Sequence, residues 1–437
     1  MNTVAINKFT ASLHTHVRSL YDAHIDAKAL CERISMMEGK GCAITDHGVL
    51  SSIEDYRAVF KDYGLKMIPG CELYVDGGIL GRLHLVVLAK NDNGYKGICK
   101  IVTQSNRTMQ GEYPVISQDD LFSIMRDYKG DIFALSACMQ GVISAIFLQN
   151  NTVEKKIEKI RKKQEKYTDP TSNEMVDIRE KVEKATLHVD EMIQKRDETK
   201  ALSEMKFIQR EKAISKKESQ GEDVKELLLE LETDKEKANK AKEVLPDVKK
   251  ELDDAKKSLS AYIKEEKELL ASVDKFLALE EEIIKLKKEL KSAEELYALA
   301  KETANKYLNV FGKGRFLAEV QYHGIEEEAI CFPKVVDIAK DLGLPLVATN
   351  DVHILTNSDD DRLRRQILRS LRFGEVFEEE NVGASELFLK DNYELKDALS
   401  KIISEDDAIR AIKNIDVVFD ACNVEFVTGK HYPKFKE

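Results

Sequence analysis

Two histidines separated by a single residue, His14 and His16, follow a short apolar run near the start of the chain. In an extended strand, side chains two residues apart point to the same side, so both imidazoles can reach one metal ion. A single His-x-His pair is by itself more often two ordinary polar residues than a metal site. The interpretation therefore depends on whether the rest of the sequence supplies further ligands.

Further residues of ligand type lie at or just beyond the ends of other predicted strands, the edge at which side chains of a β/α barrel converge. These residues are His47, Cys138, Asp351 and His353. Glu72 and His84 lie on predicted strands that could reach the same edge. Taken singly, Asp351 and His353 are typical of a turn and Cys138 of a small buried side chain. Together, imidazoles, carboxylates and one thiolate predict a site for Zn²⁺, Mn²⁺ or iron rather than Ca²⁺.

Short apolar runs alternate with helical patterns in the first 150 residues, which is typical of β-α units and a mainly parallel sheet. In this part, strands are predicted over 6–13, 42–45, 67–73, 83–88 and 131–136, and helices over 26–38 and 53–63. The alternation resumes near residue 315, with strands predicted over 315–320 and 344–349 and helices over 327–341, 359–372 and 406–422. Asp26 is the predicted N-cap of the first helix.

Between Asn151 and Glu294 the sequence is rich in Lys, Glu, Leu and Ala, with no cysteine and one glycine, Gly221. Apolar residues spaced by three and four predict a nearly unbroken coiled-coil seam through Leu269, Phe276, Leu279, Ile283, Leu286, Leu290, Ala293, Tyr297 and Ala300. We expect an antiparallel hairpin with its tip near 220–222, whose arms Pro170 and Pro246 kink or break.

These patterns predict three segments. Residues 1–150 form the first part of a barrel, residues 151–294 a coiled-coil insertion, and residues 295–437 the second part of the barrel with a C-terminal helical extension.

Composition restricts the setting of the protein. The formal net charge is -11 over 437 residues, so no overall basic field attracts nucleic acid, and any such contact must be local or made through metal ions. The seven cysteines are dispersed without a CxxC pair, which fits a reducing compartment better than a disulfide framework. With no signal pattern and no long apolar run, we expect a cytoplasmic protein without a membrane contact.

The motifs around the candidate ligands resemble those of the PHP (polymerase and histidinol phosphatase) superfamily, most closely the PHP domains of bacterial DNA polymerase III alpha subunits. The motifs are Leu13-His14-Thr15-His16, Thr45-Asp46-His47-Gly48, Gly70-Cys71-Glu72, His84-Leu85, Ser136-Ala137-Cys138 and Thr349-Asn350-Asp351-Val352-His353. Leu387-Phe388-Leu389-Lys390 and Pro433-Lys434-Phe435 resemble the segment that follows the PHP domain in those subunits. The resemblance covers about residues 6–150 and 295–437.

The resemblance implies an α/β fold, a distorted seven-stranded β/α barrel of the PHP type, here interrupted by the antiparallel coiled-coil hairpin. It also implies two or three divalent ions (Zn, Mn or Fe) held by nine residues that are both metal ligands and catalytic. The implied first ion has the ligands His14, His16, Glu72 and Asp351; the second has Glu72, His84 and Cys138; the third has Asp22, His47 and His353. Ala23 replaces the glycine usual after Asp22, which could shift that ligand.

The implied activity is metal-dependent hydrolysis of a phosphate ester, because a bound ion lowers the pKa of its water and neutralises phosphoryl charge. We expect a nuclease resembling 3′-5′ exonucleases. The alternatives are a phosphomonoesterase or pyrophosphate-cleaving enzyme for small molecules, and a metal-stapled, non-catalytic scaffold whose coiled coil binds a protein such as a coiled-coil ATPase. Polymerase activity is not expected, since the sequence ends where a palm domain would begin.

Two features stay open in the sequence. Arg18 could contact a substrate phosphate or face solvent, because arginine recognises phosphates well but is commonly exposed. The coiled coil could steer a nucleic acid or dock a partner, but heptads report helix pairing alone, so a solvated spacer is an equal alternative.

Overall fold

The computed structural model describes residues 6–18, 23–374 and 386–426. The chain divides into two compact units. Residues 1–153 and 290–437 form the first, which we call the barrel unit, and residues 154–289 form the second, the helical unit. The C-terminal motif Pro433-Lys434-Phe435 lies outside the described residues.

The barrel unit contains one continuous sheet. Its strands are β1 (Ala11–Ser12), β2 (Gly41–Ile44), β3 (Lys66–Asp76), β4 (Arg82–Ala89), β5 (Met109–Gln110), β6 (Tyr113–Ile116), β7 (Ile132–Leu135), β8 (Phe316–Val320) and β9 (Leu346–Ala348). Seven strands follow the order β1-β2-β3-β4-β7-β8-β9, while β5 and β6 form a small hairpin beside β3. The predicted α/β fold with a seven-stranded sheet is confirmed.

The helices alternate with these strands along the chain or follow them. They are α1 (Ala27–Met36), α2 (Ile53–Asp62), α3 (Asp92–Arg107), α4 (Gln118–Tyr128), α5 (Ser144–Phe147), α6 (Gln149–Gln164), α7 (Asn173–Ser203), α8 (Ile208–Ser219), α9 (Lys225–Lys287), α10 (Ala293–Phe311), α11 (Glu326–Leu342), α12 (Asp359–Phe373), α13 (Asn392–Leu399) and α14 (Glu405–Ala421). Asp26 caps α1 by accepting a hydrogen bond from the amide of Ala29, as predicted. The sequence analysis missed α3, α4, α13 and the β5–β6 hairpin.

One strand of the seven runs against the others. β4 is antiparallel to both β3 and β7, whereas β1–β2, β2–β3, β7–β8 and β8–β9 are parallel pairs. The first residues of β4 therefore lie at the same edge of the sheet as the last residues of the parallel strands. A side chain near the start of β4 can therefore reach the carboxyl-end edge of the parallel strands.

The first and last strands of the order meet just beyond their carboxyl ends. Thr15 and Val352 form a parallel bridge, and the amide of His16 donates to the carbonyl of Val352 over 2.8 Å. The segments that follow β1 and β9 are therefore adjacent, which curls the sheet and brings their side chains to a common edge.

The strand predicted over 6–13 is shorter in the structure. Only Ala11 and Ser12 pair with β2, and the chain before them turns to another partner, because the carbonyl of Lys8 accepts from the amide of Asn392 over 2.8 Å. β2 begins at Gly41, so no neighbouring strand is available for residues further upstream.

The core of the barrel unit contains both faces of the central strands. Leu85, Val86, Val87 and Leu88 of β4 are all fully buried, which is typical of a sheet covered on both sides. Burial of one such side chain stabilises the fold by about 1.5–3 kcal/mol relative to leaving it exposed. The sheet that carries the candidate ligands is therefore anchored from both faces.

The helical unit pairs its long helix α9 with helices that run in the opposite direction. Val189 and Met192 of α7 pack on Val248 and Leu252 of α9, while Met175, earlier in α7, packs on Val273, later in α9. The chain reverses between α8 and α9, where Gly221 has a φ of 78° that favours glycine. The turn lies where the hairpin tip is predicted; knobs-into-holes packing stays a prediction.

Two details of that prediction are corrected. Pro170 lies in the break between α6 and α7, whereas Pro246 does not break α9, which continues through it although a proline removes a backbone donor and crowds the carbonyl four residues earlier. The predicted seam from Leu269 to Ala300 is also interrupted, since α9 ends at Lys287 and α10 begins anew after Ser292. None of the helices formed by the described residues is long and apolar enough to cross a membrane.

Candidate metal centre

His14 and His16 bring two ring nitrogens to one point at the edge of the sheet. Their Nε2 atoms lie 3.1 Å apart, and both side chains are fully buried. Asp351, which follows β9, places Oδ1 3.2 Å from Nε2 of His14 and 3.1 Å from Nε2 of His16. The Thr15–Val352 bridge holds these two segments together, and the three side chains converge for that reason.

Glu72 reaches the same point from the extended strand β3. Its Oε1 lies 3.5 Å from Nε2 of His14, and its Oε2 lies 3.4 Å from Nε2 of His16. One ligand atom from each of His14, His16, Glu72 and Asp351 lies within 4.8 Å of the others, the spacing at which one ion could be held. These are the four residues that the resemblance assigned to a first ion.

A second group shares Glu72. Nδ1 of His47 lies 2.7 Å from Glu72 Oε2, and Nδ1 of His84 lies 3.0 Å from Glu72 Oε1. His84 stands near the start of β4, and it reaches this edge because β4 runs antiparallel to its neighbours. Glu72 therefore lies between two groups of possible ligands and could bridge two ions.

A third group consists of imidazoles alone. His16, His47 and His353 offer nitrogen atoms within 4.8 Å of one another. The ring of His16 stacks on that of His47 with centroids 4.0 Å apart and lies 4.4 Å from that of His353. Asp22, which the resemblance joined to His47 and His353, lies outside the described residues.

Cys138 lies beside the second group rather than in it. Its Sγ is 3.6 Å from Nδ1 of His84, but it belongs to none of the three converging groups among the described residues; His47 stands there instead. The loop that presents Cys138 is tight: Ala137 has a φ of 64°, and a Cβ at Gly141 would lie 1.8 Å from the carbonyl oxygen of Ser136. Glycine at 141 is therefore required for this loop.

Arg18 is engaged elsewhere at the surface. Its Nη1 lies 2.5 Å from Oδ2 of Asp55, and its guanidinium lies 5.6 Å from the centre of the Tyr56 ring. A substrate phosphate would have to compete with the Asp55 carboxylate for this side chain.

The carboxylate oxygens and histidine nitrogens of the cluster are arranged as ligands of a cation rather than as hydrogen-bond partners of one another. Glu72 Oε2 and Asp351 Oδ1 are buried and accept no hydrogen bond of ordinary geometry from a described residue, although histidine nitrogens lie close to both. Buried carboxylate oxygens normally have aligned donors. Lone pairs of imidazole and carboxylate that converge without that alignment are typical of a metal site, and the set suits divalent ions.

The electrostatics of the cluster also couple its members. Burial alone would lower the pKa of His14, but the carboxylates of Asp351, Glu319 and Glu72 outweigh it and hold that pKa well above the ordinary value. Burial would raise the pKa of Glu72, yet His84, His47 and His14 hold it well below the ordinary range. The carboxylates are therefore stabilised in the ionised form that metal binding requires.

Glu319, a fully buried acid on β8, is a site residue that the sequence analysis missed. Its Oε1 lies 2.8 Å from Nδ1 of His14 and accepts from Nε2 of Gln321 over 2.9 Å and from the hydroxyl of Thr349. Its Oε2 accepts from the amide of Ala137 over 2.7 Å. A carboxylate on Nδ1 fixes the imidazole so that Nε2 faces the cluster, and it links His14 to the loop of Cys138.

The peptide that carries Asp351 is held in an unusual conformation. Asp351 has a φ of 46°, in the left-handed region that costs a non-glycine residue energy. On the preceding residue, Asn350, the carbonyl lies 3.0 Å from Nε2 of His323, and the side-chain oxygen accepts from Nζ of Lys390 over 3.1 Å. Oε1 of Glu328 lies 2.6 Å from Nδ1 of His323 and fixes that ring. Buried side chains thus hold the strained backbone that aims Asp351 at the cluster.

A curled seven-stranded sheet with histidine and carboxylate groups converging at one edge defines an α/β barrel equipped to bind metal. The family model of the PHP domain matches residues 12–176 of this chain.

Sequence relatives match about a third of the chain. The DNA polymerase III subunit alpha of Helicobacter pylori strain J99 is 32% identical over 155 residues, which are 33% of this chain and 12% of the relative. The same subunit of Borreliella burgdorferi is 33% identical over 155 residues, 32% of this chain and 13% of the relative. The chain thus matches about an eighth of the length of these relatives.

Among solved structures, an amidohydrolase from Chromobacterium violaceum with bound sulfate and no metal covers 27% of this chain and 50% of its own, with 18% identity. Its TM-score of 0.18 is too low to carry a conclusion about this chain.

Proposed function

We propose that the protein is a metal-dependent phosphoric ester hydrolase that cleaves phosphodiester bonds of nucleic acid, in the manner of a 3′-5′ exonuclease. The convergence of His14, His16, Glu72 and Asp351 on one point carries the proposal, because buried ligands of this kind suit a hydrolytic divalent ion. The two DNA polymerase III alpha relatives support nucleic acid as the substrate class.

We assign the candidate ligands to two or three ions of Zn, Mn or Fe. His14, His16, Glu72 and Asp351 would hold the first, and Glu72 with His47 and His84 the second, with Cys138 beside it. His353 would join His16 and His47 at the third, together with Asp22 as the resemblance implies. Bound divalent ions supply an activated water and neutralise the charge of a phosphoryl group.

Other residues of the chain fix the tautomer of His14 and the position of Asp351. Glu319 faces Nδ1 of His14, so the proton stays on that atom and the lone pair of Nε2 points into the cluster. The hydrogen bonds to Asn350 hold the neighbouring Asp351 backbone, which keeps Oδ1 close to both histidines. His14, His16 and Glu72 are fully buried, so bulk water does not reach these three side chains.

The proposal is tested by a hydrolysis screen of purified protein with Mn²⁺ and with Zn²⁺. The substrates are 3′-labelled single-stranded DNA, RNA and p-nitrophenyl phosphate, and the variants are His14→Ala and, as a control, His188→Ala, which changes an exposed histidine of α7. We expect shortening of the DNA that His14→Ala abolishes and His188→Ala leaves intact. Turnover of p-nitrophenyl phosphate alone would favour the phosphomonoesterase, and no turnover of any substrate would refute the enzyme.

The second candidate is a metal-stapled scaffold whose helical unit binds a protein. It is favoured by Ile263, Leu270, Leu277 and Ile284 of α9, which are 39–48% exposed and follow one another at intervals of seven residues. Such a stripe is typical of a surface for another helix, for example that of a coiled-coil ATPase. This candidate predicts that His14→Ala lowers the melting temperature of a protein that has no turnover to lose. We place either form in the cytoplasm, consistent with its seven free cysteines.

A further inference from the structure

A small cavity adjoins the candidate metal centre on the side of His353. Its volume is about 90 Å³, and it lies between the segment after β9, the start of α1 and the first half of α12. One water molecule needs about 10–15 Å³ of such a volume, so the cavity has room for a tetrahedral phosphoryl group. Its polar lining comes from His24, Asp26, His353, Asp361, Arg364 and Arg365.

Two arginines of α12 supply positive charge to the lining. Arg365 is 8% exposed, so its guanidinium is largely removed from solvent. Arg364 is exposed and forms no ion pair with a described residue. Arginine binds phosphate through paired N–H donors, and burial strengthens such a contact.

The two carboxylates of the lining already serve local structure. Asp26 accepts from the amide of Ala29 at the start of α1. Asp361 accepts from both the amide and the hydroxyl of Thr356, over 2.9 and 2.6 Å. Hydrogen bonds from neutral donors disperse the charge of a carboxylate without removing it, so an anion would bind through the arginines and away from these two carboxylates.

The other end of α12 reaches the opposite side of the metal centre. Arg372 donates from Nη2 to the hydroxyl of Tyr113 over 3.0 Å, and the Tyr113 ring packs edge-on against Tyr74 with centroids 5.4 Å apart. Tyr74 in turn stacks on His47 at 5.6 Å. A single arginine-bearing helix therefore passes from the His353 side of the cluster to the His47 side.

We propose that this cavity is a subsite for a second phosphate of the substrate, bound by Arg364 and Arg365 beside the phosphate that is hydrolysed. The inference rests on the proposed function and narrows it. A substrate with one phosphate would leave the subsite empty, whereas a nucleic acid strand carries phosphates on both sides of each nucleoside. The subsite therefore selects strands linked by phosphodiesters over isolated esters.

The test compares two substrates that differ in whether a second phosphate is present. A short single-stranded thymidine oligonucleotide offers it, and bis(p-nitrophenyl) phosphate, a diester with one phosphorus atom, does not. The variants are Arg365→Gln and the double change Arg364→Gln with Arg365→Gln. The control is Arg362→Gln on the same helix, whose guanidinium pairs with Asp359 and does not line the cavity.

For the double variant we expect KM for the oligonucleotide to rise by about tenfold or more, the effect of losing a charge-assisted hydrogen bond. We expect kcat/KM for bis(p-nitrophenyl) phosphate to stay within about twofold of the wild type, and Arg362→Gln to change neither. Equal losses on both substrates would assign the arginines to structure and overturn the subsite, as would unchanged kinetics on both.

A binding measurement separates the subsite from the proposed activity. Fluorescence anisotropy of the labelled oligonucleotide, with Ca²⁺ in place of a catalytic ion, reports Kd without turnover. Loss of affinity in Arg365→Gln, regained in part by Arg365→Lys, would support the subsite even if the wild type hydrolysed nothing. Affinity that is the same in all variants would overturn the subsite even if hydrolysis were found.

Discussion

The barrel unit buries a cluster of ionisable side chains, whereas the ion pairs of the helical unit lie at its surface. In the barrel unit, His14, His16 and Glu72 are fully buried and face one another. In the helical unit, the ion pairs lie at the surface, as in the pair of Lys195 and Glu251, whose side chains are 53% and 57% exposed. Burying charge is costly unless it is paired or holds a metal, whereas exposed pairs contribute little. The difference is consistent with the proposal that the buried cluster holds metal ions, whereas the exposed pairs contribute little to stability.

The hydrophobic cores of the two units also differ in extent. The barrel unit has an extended core on both faces of its sheet, but the helical unit is held by small separate clusters such as Val189, Met192, Val248, Leu252 and Ala255. Each small cluster depends on few side chains, so a single truncation removes a larger share of it. We therefore expect a mutation in one unit to change the properties of that unit alone.

The largest expected effect that does not remove a ligand is on the side chain behind His14. Glu319→Gln keeps the shape but loses the charge that fixes the imidazole, so we expect metal affinity to fall by about 10–100-fold. Titration with a competing chromophoric chelator measures it. Glu326→Gln, an exposed position at the start of α11, is the matched control and should leave affinity unchanged. Equal affinities for Glu319→Gln and the wild type would remove Glu319 from the site.

A core truncation in the helical unit should act on that unit alone. Leu252 is 3% exposed, and Leu252→Ala should lower the free energy of unfolding by about 2–3 kcal/mol in urea titrations of helical content. Leu228→Ala, at a position that is 38% exposed, should cost much less. Metal affinity should be the same in both variants. A fall in metal affinity with Leu252→Ala would show that the two units are not separable.

Asp407 gives a pH-dependent contribution to the barrel unit. Burial would raise its pKa, but Ser404, Lys340 and Arg410 outweigh this and hold it below the ordinary value of 3.8. A lowered pKa means that the stabilisation is present above the unfolded value and is lost as pH falls through the folded value. The difference in unfolding free energy between wild type and Asp407→Asn should thus shrink as pH falls below about 4. Asp337→Asn, an exposed change on α11, should show no such trend.

The smallest effect is expected where the most residues are removed. Nδ2 of Asn150 donates to the carbonyl of Lys291 over 2.9 Å, and the amide of Lys291 donates back to Oδ1 over 3.1 Å, so the barrel unit itself holds the two ends of the insertion together. Replacing residues 154–289 with a short glycine linker should leave the melting temperature and metal affinity of the barrel nearly unchanged. Hydrolysis of DNA and of small phosphoesters by this variant then measures what the helical unit adds, and loss of DNA cleavage alone would indicate that it guides the strand.

The ligand types could be predicted because histidines rarely recur by chance at the ends of several apolar runs. The alternation of apolar runs with helical patterns predicted a mainly parallel sheet, and the number of seven strands came from the resemblance to PHP domains. The direction of β4 could not be predicted, because an apolar run has the same pattern in a parallel and in an antiparallel strand. Only the antiparallel pairing of β4 with β3 explains why His84, near the start of its strand, reaches the site. Glu319 was missed because one acid in the apolar strand Phe316–Val320 gives no sign of its partner, which lies 305 residues away.

One wrong prediction, the nearly unbroken apolar seam, had a contrary signal in the sequence. The break before α10 carries a capping box, in which Ser292 and Glu295 exchange hydrogen bonds, and this S-x-x-E pattern is visible in the sequence. The regular spacing of apolar residues on either side concealed it. Spacing reports which face of a helix is apolar but not whether the helix is continuous.

The central proposal is that the converging histidine and carboxylate side chains, with Asp351 among them, hold divalent ions at the edge of the barrel. It is tested most directly by elemental analysis of the purified chain and of Asp351→Asn, after incubation with Mn²⁺ or Zn²⁺ and removal of free metal. We predict two or three ions for each wild-type chain and at least one fewer in the variant, with both proteins folded. Less than one ion in the wild type, or the same content in both, would contradict the account.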